Sequence, residues 1–200
     1  MRVYLSSTLS DLESERTKIK QVLSGECIVI ESYEADPRPL WQSCIADVKS
    51  CDLYICVVGL RYGFTPPGQP KSITELEFDA AVGTGIPCLV FMKTSSSITV
   101  DKSDGGTGEH PPQLILDFRA RLSSGGDGFS RPANFSTLSE LTERVLKALL
   151  RLRSPPDPRL VSADGEIGAA GVVRPATPPA LPAAVRPNSS AAISGQTELQ

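Results

Sequence analysis

The feature that most constrains this chain is an alternation. Short runs that are apolar at nearly every position are separated, one after another, by segments with helical periodicity. Residues 2–6 form the first run, residues 27–30 (CIVI) the second, Leu53–Val58 (LYICVV) the third, and residues 88–92 (CLVFM), opened by Pro87, the fourth. Between the first two, Leu12, Ile19, Val22 and Leu23 fall on one helical face, with Ser10 and Glu13 at capping-box spacing and Gly25 at the end. Pro39 suits the first turn of a second helix carrying Trp41, Cys44, Ile45 and Val48. SITELEFDAAV is a third helix, broken by Gly83 and Gly85. Residues 114–122 and 138–152 read as two more helices, with a short fifth strand expected at Ala133–Phe135.

Strands that are apolar throughout and alternate strictly with helices belong to a parallel sheet covered on both faces. The expected fold is therefore α/β, a three-layer flavodoxin-like sandwich of about five parallel strands. Right-handed crossovers then impose an order such as 2-1-3-4-5. In such sheets ligands sit beyond the carboxyl ends of the strands where the order reverses, here between strands one and three. Three segments meet there: Ser6-Ser7-Thr8, the stretch from Gly59 to Gly63, and the start of the helix at Ser72.

Composition sets the boundaries. Residues 154–200 hold 8 of the 17 prolines and 9 alanines, without apolar periodicity. They read as a disordered Pro/Ala-rich linker or tail, which leaves residues 1–153 as one α/β domain. The tail has three Arg against four Asp and Glu, so neither part binds by bulk charge. A net charge of -3 argues against a nucleic-acid partner. No apolar run approaches the roughly 20 residues of a membrane span, and residues 1–16 reach charge too soon for a secretory signal. Five cysteines without CxxC spacing read as small buried hydrophobes in a reducing, cytoplasmic setting. With one histidine, His110, in a Gly-rich loop, neither a metal site nor a Ser-His-Asp or Cys-His hydrolase is expected, and no cofactor is.

Neither GxGxxG after strand one nor GxxxxGK[ST] occurs, so no dinucleotide fingerprint or P-loop is present. What remains is carboxylate and hydroxyl chemistry. Glu75 pairs with Ser72 as a capping box, which is a sufficient structural role. Glu77 lies past the cap positions, beside Ile73, Ala80 and Ala81. It is either a solvated helix position or a functional carboxylate near the crevice. In GLRYG, Gly59 and Gly63 let the backbone approach a ligand, Arg61 offers a fork for phosphate, and Tyr62 offers a ring for a base or ribose. The alternative there is a turn with an Arg–Glu ion pair. Ser6, Ser7 and Thr8 are ligand hydroxyls or helix caps.

One ligand could use all three sets: a nucleotide or NAD-like molecule with ribose against Glu77 and phosphates near Arg61 and the strand-one hydroxyls. A carboxylate without metal or histidine suits cleavage of an N-glycosidic bond, whose transition state resembles an oxocarbenium ion. A non-catalytic signalling module, working through protein partners or self-association, and a nucleotide sensor that binds without cleaving are the competing classes. The module or sensor ranks ahead of the enzyme, because a fold transfers better than an activity.

RVYLSSTLSDLESER, CDLYICVVGLRYGF and SITELEFDAAVGTGIPCLVF, in this order, resemble domain of unknown function 4062 over about residues 1–152. The resemblance implies an N-terminal signalling or effector module ahead of NACHT-like or other STAND-type NTPases or of WD40 or TPR repeats. It also implies a fold like that of TIR domains and nucleoside 2-deoxyribosyltransferases. In the latter, a catalytic Glu on a helix is followed by a small residue and a Gly-x-Pro. Glu77, Ala81 and Gly85-Ile86-Pro87 stand in similar positions, with Glu75 as the competitor by likeness to TIR-type NADases. Asp52 resembles a strand-three Asp of that superfamily, although it precedes the strand, and Ser72-Ile73-Thr74 replaces the Gly-Thr before the Glu.

Overall fold

The computed structural model describes residues 1–31, 36–94, 96, 110–124 and 131–153. The tail read from composition, and most of the polar loop at 95–112, lie outside the described residues. Five strands, β1 (Arg2–Ser7), β2 (Ile28–Ile30), β3 (Leu53–Val58), β4 (Cys88–Lys93) and β5 (Ala133–Phe135), form one sheet in the order β2-β1-β3-β4-β5. Every pairing is parallel. The helices are α1 (Glu13–Leu23), α2 (Leu40–Lys49), α3 (Ile73–Thr84), α4 (Pro112–Ser124) and α5 (Leu138–Arg153). The alternating order expected from the sequence is the order observed.

Alternation along the strands divides the interior in two. Val3, Leu5, Leu53, Ile55, Val57 and Phe91 meet the apolar faces of α1 and α5. Tyr4, Tyr54, Cys56, Val58, Val90 and Met92 form the other core with Val48 of α2, Phe78 of α3 and Phe118 of α4. β3 is buried along its whole length, as a central parallel strand must be. β2 departs from the expectation of a second buried strand: it is an edge, and Ile28 is 61% exposed.

Local details also differ. The Ser10 cap is not formed: Leu12 occupies the cap position of α1 with no side-chain hydrogen bond. α3 runs through Gly83, whose added Cβ would meet nothing within 4 Å, and ends at Gly85 in the left-handed region (φ 71°). At the other end of α3 the expected cap is made, with Glu75 N–H donating to Ser72 Oγ at 3.3 Å.

Two polar clamps hold the carboxyl end of the sheet. Lys93 at the end of β4 donates to buried Glu15 of α1 at 2.7 Å. Burial alone would push the Glu15 carboxyl up, but the Lys93 and Ser14 hydrogen bonds outweigh it and the group lies below its usual range. Arg119 of α4 donates to the carbonyls of Val58 (3.3 Å), Gly59 (2.8 Å) and Lys93 (3.0 Å), tying the ends of β3 and β4 together. Arg119→Met keeps the aliphatic stem and strips those carbonyls of their donor. It is expected to cost about 2–3 kcal/mol in urea unfolding, because buried acceptors lose a charged partner.

Candidate functional site

A cavity of about 660 Å³ opens at the carboxyl ends of β1 and β3, where the strand order reverses. Its floor follows from the pleat of β1. Tyr4 and Ser6 point to the α2–α3 face, while Val3 and Leu5 point into the opposite core. α3 lies over that end of β1 and sends Ile73, Thr74 and Glu77 to the cavity, on one stripe of the helix.

Glu77 is the central group. It is 6% exposed, and each carboxylate oxygen accepts a hydroxyl hydrogen bond from β1: Oε1 from Tyr4 at 2.7 Å, Oε2 from Ser6 at 2.5 Å. Burial pushes its carboxyl above the usual range; Ser6, Tyr4, Cys44 and the Arg16 charge oppose that push by favouring the ionised form. Two oxygens offer about four acceptor sites, so the carboxylate keeps capacity for a ligand. Tyr4 is itself braced by stacking on Tyr54, with centroids 6.0 Å apart and planes at 10°.

The hydroxyls of Ser6 and Ser7 at the end of β1 and of Thr8 just after it do not cap α1, although at least one of them was expected to. Ser6 holds Glu77. Ser7 Oγ accepts from Arg16 Nη1 at 2.8 Å, and Thr8 donates to Asp11. Burial raises the Asp11 carboxyl, against the Thr8 hydrogen bond. Arg16 reaches the cavity from α1 and is ion-paired with Glu31, which also pairs with Lys20 at 3.0 Å. Arg61 enters from the loop after β3 and donates to Ser10 Oγ at 3.1 Å. The mouth is apolar: Leu9, Leu40 and Phe64 line it, and Phe64 is 62% exposed.

Of the residues singled out in the sequence, Ser6, Ser7, Thr8, Arg61, Gly63 and Glu77 come together on this cavity. Gly59, Tyr62 and Glu75 do not line it. Tyr62 is buried, its hydroxyl donates to Glu75 Oε2 at 2.6 Å, and with its burial this raises the phenol to about 12. Glu75 is engaged further by Arg121 at 3.1 Å and Lys71 at 3.2 Å, on the side of α3 that meets α4. Asp52 lies at the amino end of β1, accepting from the Arg2 amide at 2.7 Å.

The two glycines have steric roles. A Cβ on Gly59 would stand 2.5 Å from Asp11 Oδ2. Gly63 has φ +87°, and a Cβ there would stand 2.9 Å from Thr8 Cγ2. Gly63→Ala is therefore expected to cost about 1–3 kcal/mol, read as a lower melting temperature. It would also push Thr8 from its place on the cavity wall.

Sequence reading missed Arg16, Glu31, Leu40, Cys44, Phe64 and His110. His110 immediately precedes the proline turn into α4, lines the cavity, and meets the Tyr62 ring edge-on (centroids 5.8 Å, planes at 82°). The available signal was its place just before a helix, Pro111-Pro112 making the N-terminal turn. For Arg16 the signal was a cation one turn inside the helix that follows the first strand.

The fold and cavity define an α/β sandwich with a carboxylate-floored crevice at its topological switch point. The chain belongs to the family Domain of unknown function (DUF4062), whose model matches residues 2–150. No curated protein matches it. Among solved structures it is similar to the CMP N-glycosidase BcmB of Clostridium botulinum, at 16% identity and a TM-score of 0.48, over 74% of this chain and 99% of that one. It is also similar to translation elongation factor SelB of Methanococcus maripaludis, at 16% identity and a TM-score of 0.44, over 76% of this chain and 33% of that one. Among the described residues no helix is long and apolar enough to cross a membrane.

Proposed function

We propose that this domain binds a nucleotide-like ligand in the crevice at the ends of β1 and β3 and cleaves its N-glycosidic bond. The observation that carries the reading is the Glu77 carboxylate, buried at the floor of a ligand-sized cavity and held by two hydroxyls. The apolar mouth of Leu9, Leu40 and Phe64 suits the faces of a base. Arg16 and Arg61 supply the positive field a phosphate requires.

In the reaction the bond from the anomeric carbon to the base nitrogen breaks, and its electron pair leaves with the base. Positive charge builds on the ribose ring, and a preoriented carboxylate in a water-poor site stabilises it. Water then completes the hydrolysis. Glu77 acts in its ionised form, so the rate is expected to rise with pH through its titration.

The test is release of free base. The protein is incubated with ribonucleoside 5′-monophosphates, nicotinamide mononucleotide and NAD, and the products are separated by chromatography. Base is expected from the wild type and not from Glu77→Gln. Equal release by the variant would remove Glu77 from the chemistry, and no release by folded wild type removes the activity.

A second reading, a signalling module of a STAND-type protein, has one observation in its favour. Leu146 and Leu150 stand exposed on α5, turned away from the stripe that buries Leu141, Val145 and Leu149. Partner capture or self-association that persists in Glu77→Gln and is lost on changing those leucines to Ser is its expected result.

A further inference from the structure

We infer that His110 is the general acid of this site, protonating the base as it leaves; the inference rests on the glycosidase reading above. Three observations converge on it. His110 lines the same cavity as Glu77, but comes from a different element, the entry to α4 rather than α3. Its ring is positioned by the edge-on contact with Tyr62, which is itself fixed by the hydrogen bond to Glu75. Glu75 is in turn anchored to α4 by Arg121 at 3.1 Å, so the segment bearing His110 and the helix bearing Glu77 are tied to one another.

The chemistry supplies the need. A purine or pyrimidine leaves poorly as an anion, and a proton delivered to a ring nitrogen or carbonyl makes it a neutral leaving group. Imidazole is the side chain that ordinarily exchanges a proton near neutral pH. Glu77 has both carboxylate oxygens accepting hydroxyl hydrogen bonds, from Tyr4 and Ser6, and serves the ribose rather than the base. The step balances. The glycosidic bond breaks and its electron pair goes to the base nitrogen. The imidazolium proton passes to the base, water adds to the anomeric carbon and sheds its proton to solvent, and the imidazole takes a proton back from solvent. Free base and ribose phosphate are the products.

The test exploits the leaving group. Nicotinamide mononucleotide releases a pyridine that is already cationic at the reacting nitrogen and needs no proton. AMP, GMP, CMP and UMP do need one. His110→Phe keeps a ring against Tyr62 and cannot donate, and His110→Gln gives a second variant of different packing. On whichever of the four nucleotides the wild type cleaves, both variants are expected to fall about 10²–10⁴-fold. On nicotinamide mononucleotide they stay within about threefold, because acid catalysis contributes nothing there.

Equal losses on both substrate types would make His110 a structural residue and overturn the assignment. Loss on neither would overturn it while leaving the glycosidase standing. Wild type that cleaves nicotinamide mononucleotide alone would overturn it too, since no proton would then be required. Wild type that cleaves nothing removes both readings.

Discussion

Glu77→Gln is expected to abolish base release, with a loss of about 10³-fold or more, while raising stability at neutral pH. The loss follows from removing the carboxylate at the cavity floor that would meet a cationic ribose, a contribution of the size seen when a preoriented electrostatic partner is deleted. The gain follows from linkage. Burial raises the Glu77 carboxyl in the folded protein above its ordinary value. A carboxyl raised in this way supports the fold below its unfolded titration, and that support is lost as pH rises through the folded one. As pH rises the wild type therefore loses stability that glutamine, nearly the same shape and never ionised, keeps. Tyr4 and Ser6 each carry a hydroxyl that can turn to donate or accept, so the amide can be hydrogen-bonded in place. The difference in melting temperature between variant and wild type should be positive at pH 7.5 and shrink as the solution is made acidic. A variant that melts lower than wild type at every pH would mean that the carboxylate is there to hold α3 on β1 rather than to do chemistry.

The largest stability effect is expected at Phe91. It sits in the middle of β4, paired with Val57 on one side and Ala133 on the other, and it is 2% exposed. Its ring fills the core between the sheet and the helices α1 and α5, among Leu12, Leu141 and Val145. Truncation to Ala removes the apolar transfer contribution and leaves a void that neighbours anchored on a sheet and two helices close only in part. The expected cost is about 3–5 kcal/mol, a large share of the roughly 5–15 kcal/mol that holds a domain together. Leu150, 62% exposed on α5, is the control: Leu150→Ala should change unfolding by no more than about 0.5 kcal/mol. Guanidinium titrations of the three proteins measure both. A Phe91→Ala protein that unfolds within 1 kcal/mol of wild type would mean the core repacks around the void.

Much of the architecture was legible from residue order. Apolar runs such as LYICVV read as buried strands, and their alternation with helices leaves a parallel sheet with right-handed crossovers. From that the strand order and the reversal between β1 and β3 follow, and with them the place of the cavity. The exposure of β2 was not legible. CIVI is as apolar as a buried strand, and its place at the edge of the sheet, with Ile28 in the open, is not written in it. The Ser10 cap failed for a related reason: a serine hydroxyl three residues before a helix has several partners within reach, and Arg61, 51 positions away, is the one it meets.

Within the site, what the sequence determined by itself was a short set of polar residues at the ends of the first and third strands and on the helix after them. Periodicity also determined that Glu75 and Glu77 face different ways, since two positions on a helix turn through about 200°. Which of the two meets the cavity was decided only by the rotation at which α3 packs on β1, with Phe78 and Ala81 seated in the core. That packing turns Glu77 to Tyr4 and Ser6, and Glu75 to Tyr62 and Arg121. The tertiary structure alone brought in Arg16 and His110, because hydrogen-bonding and charge partners converge through space from segments far apart in the chain. Local periodicity carries the fold, since each element's apolar face is written within a dozen residues. A site is a relation between elements, and it exists only once they have packed.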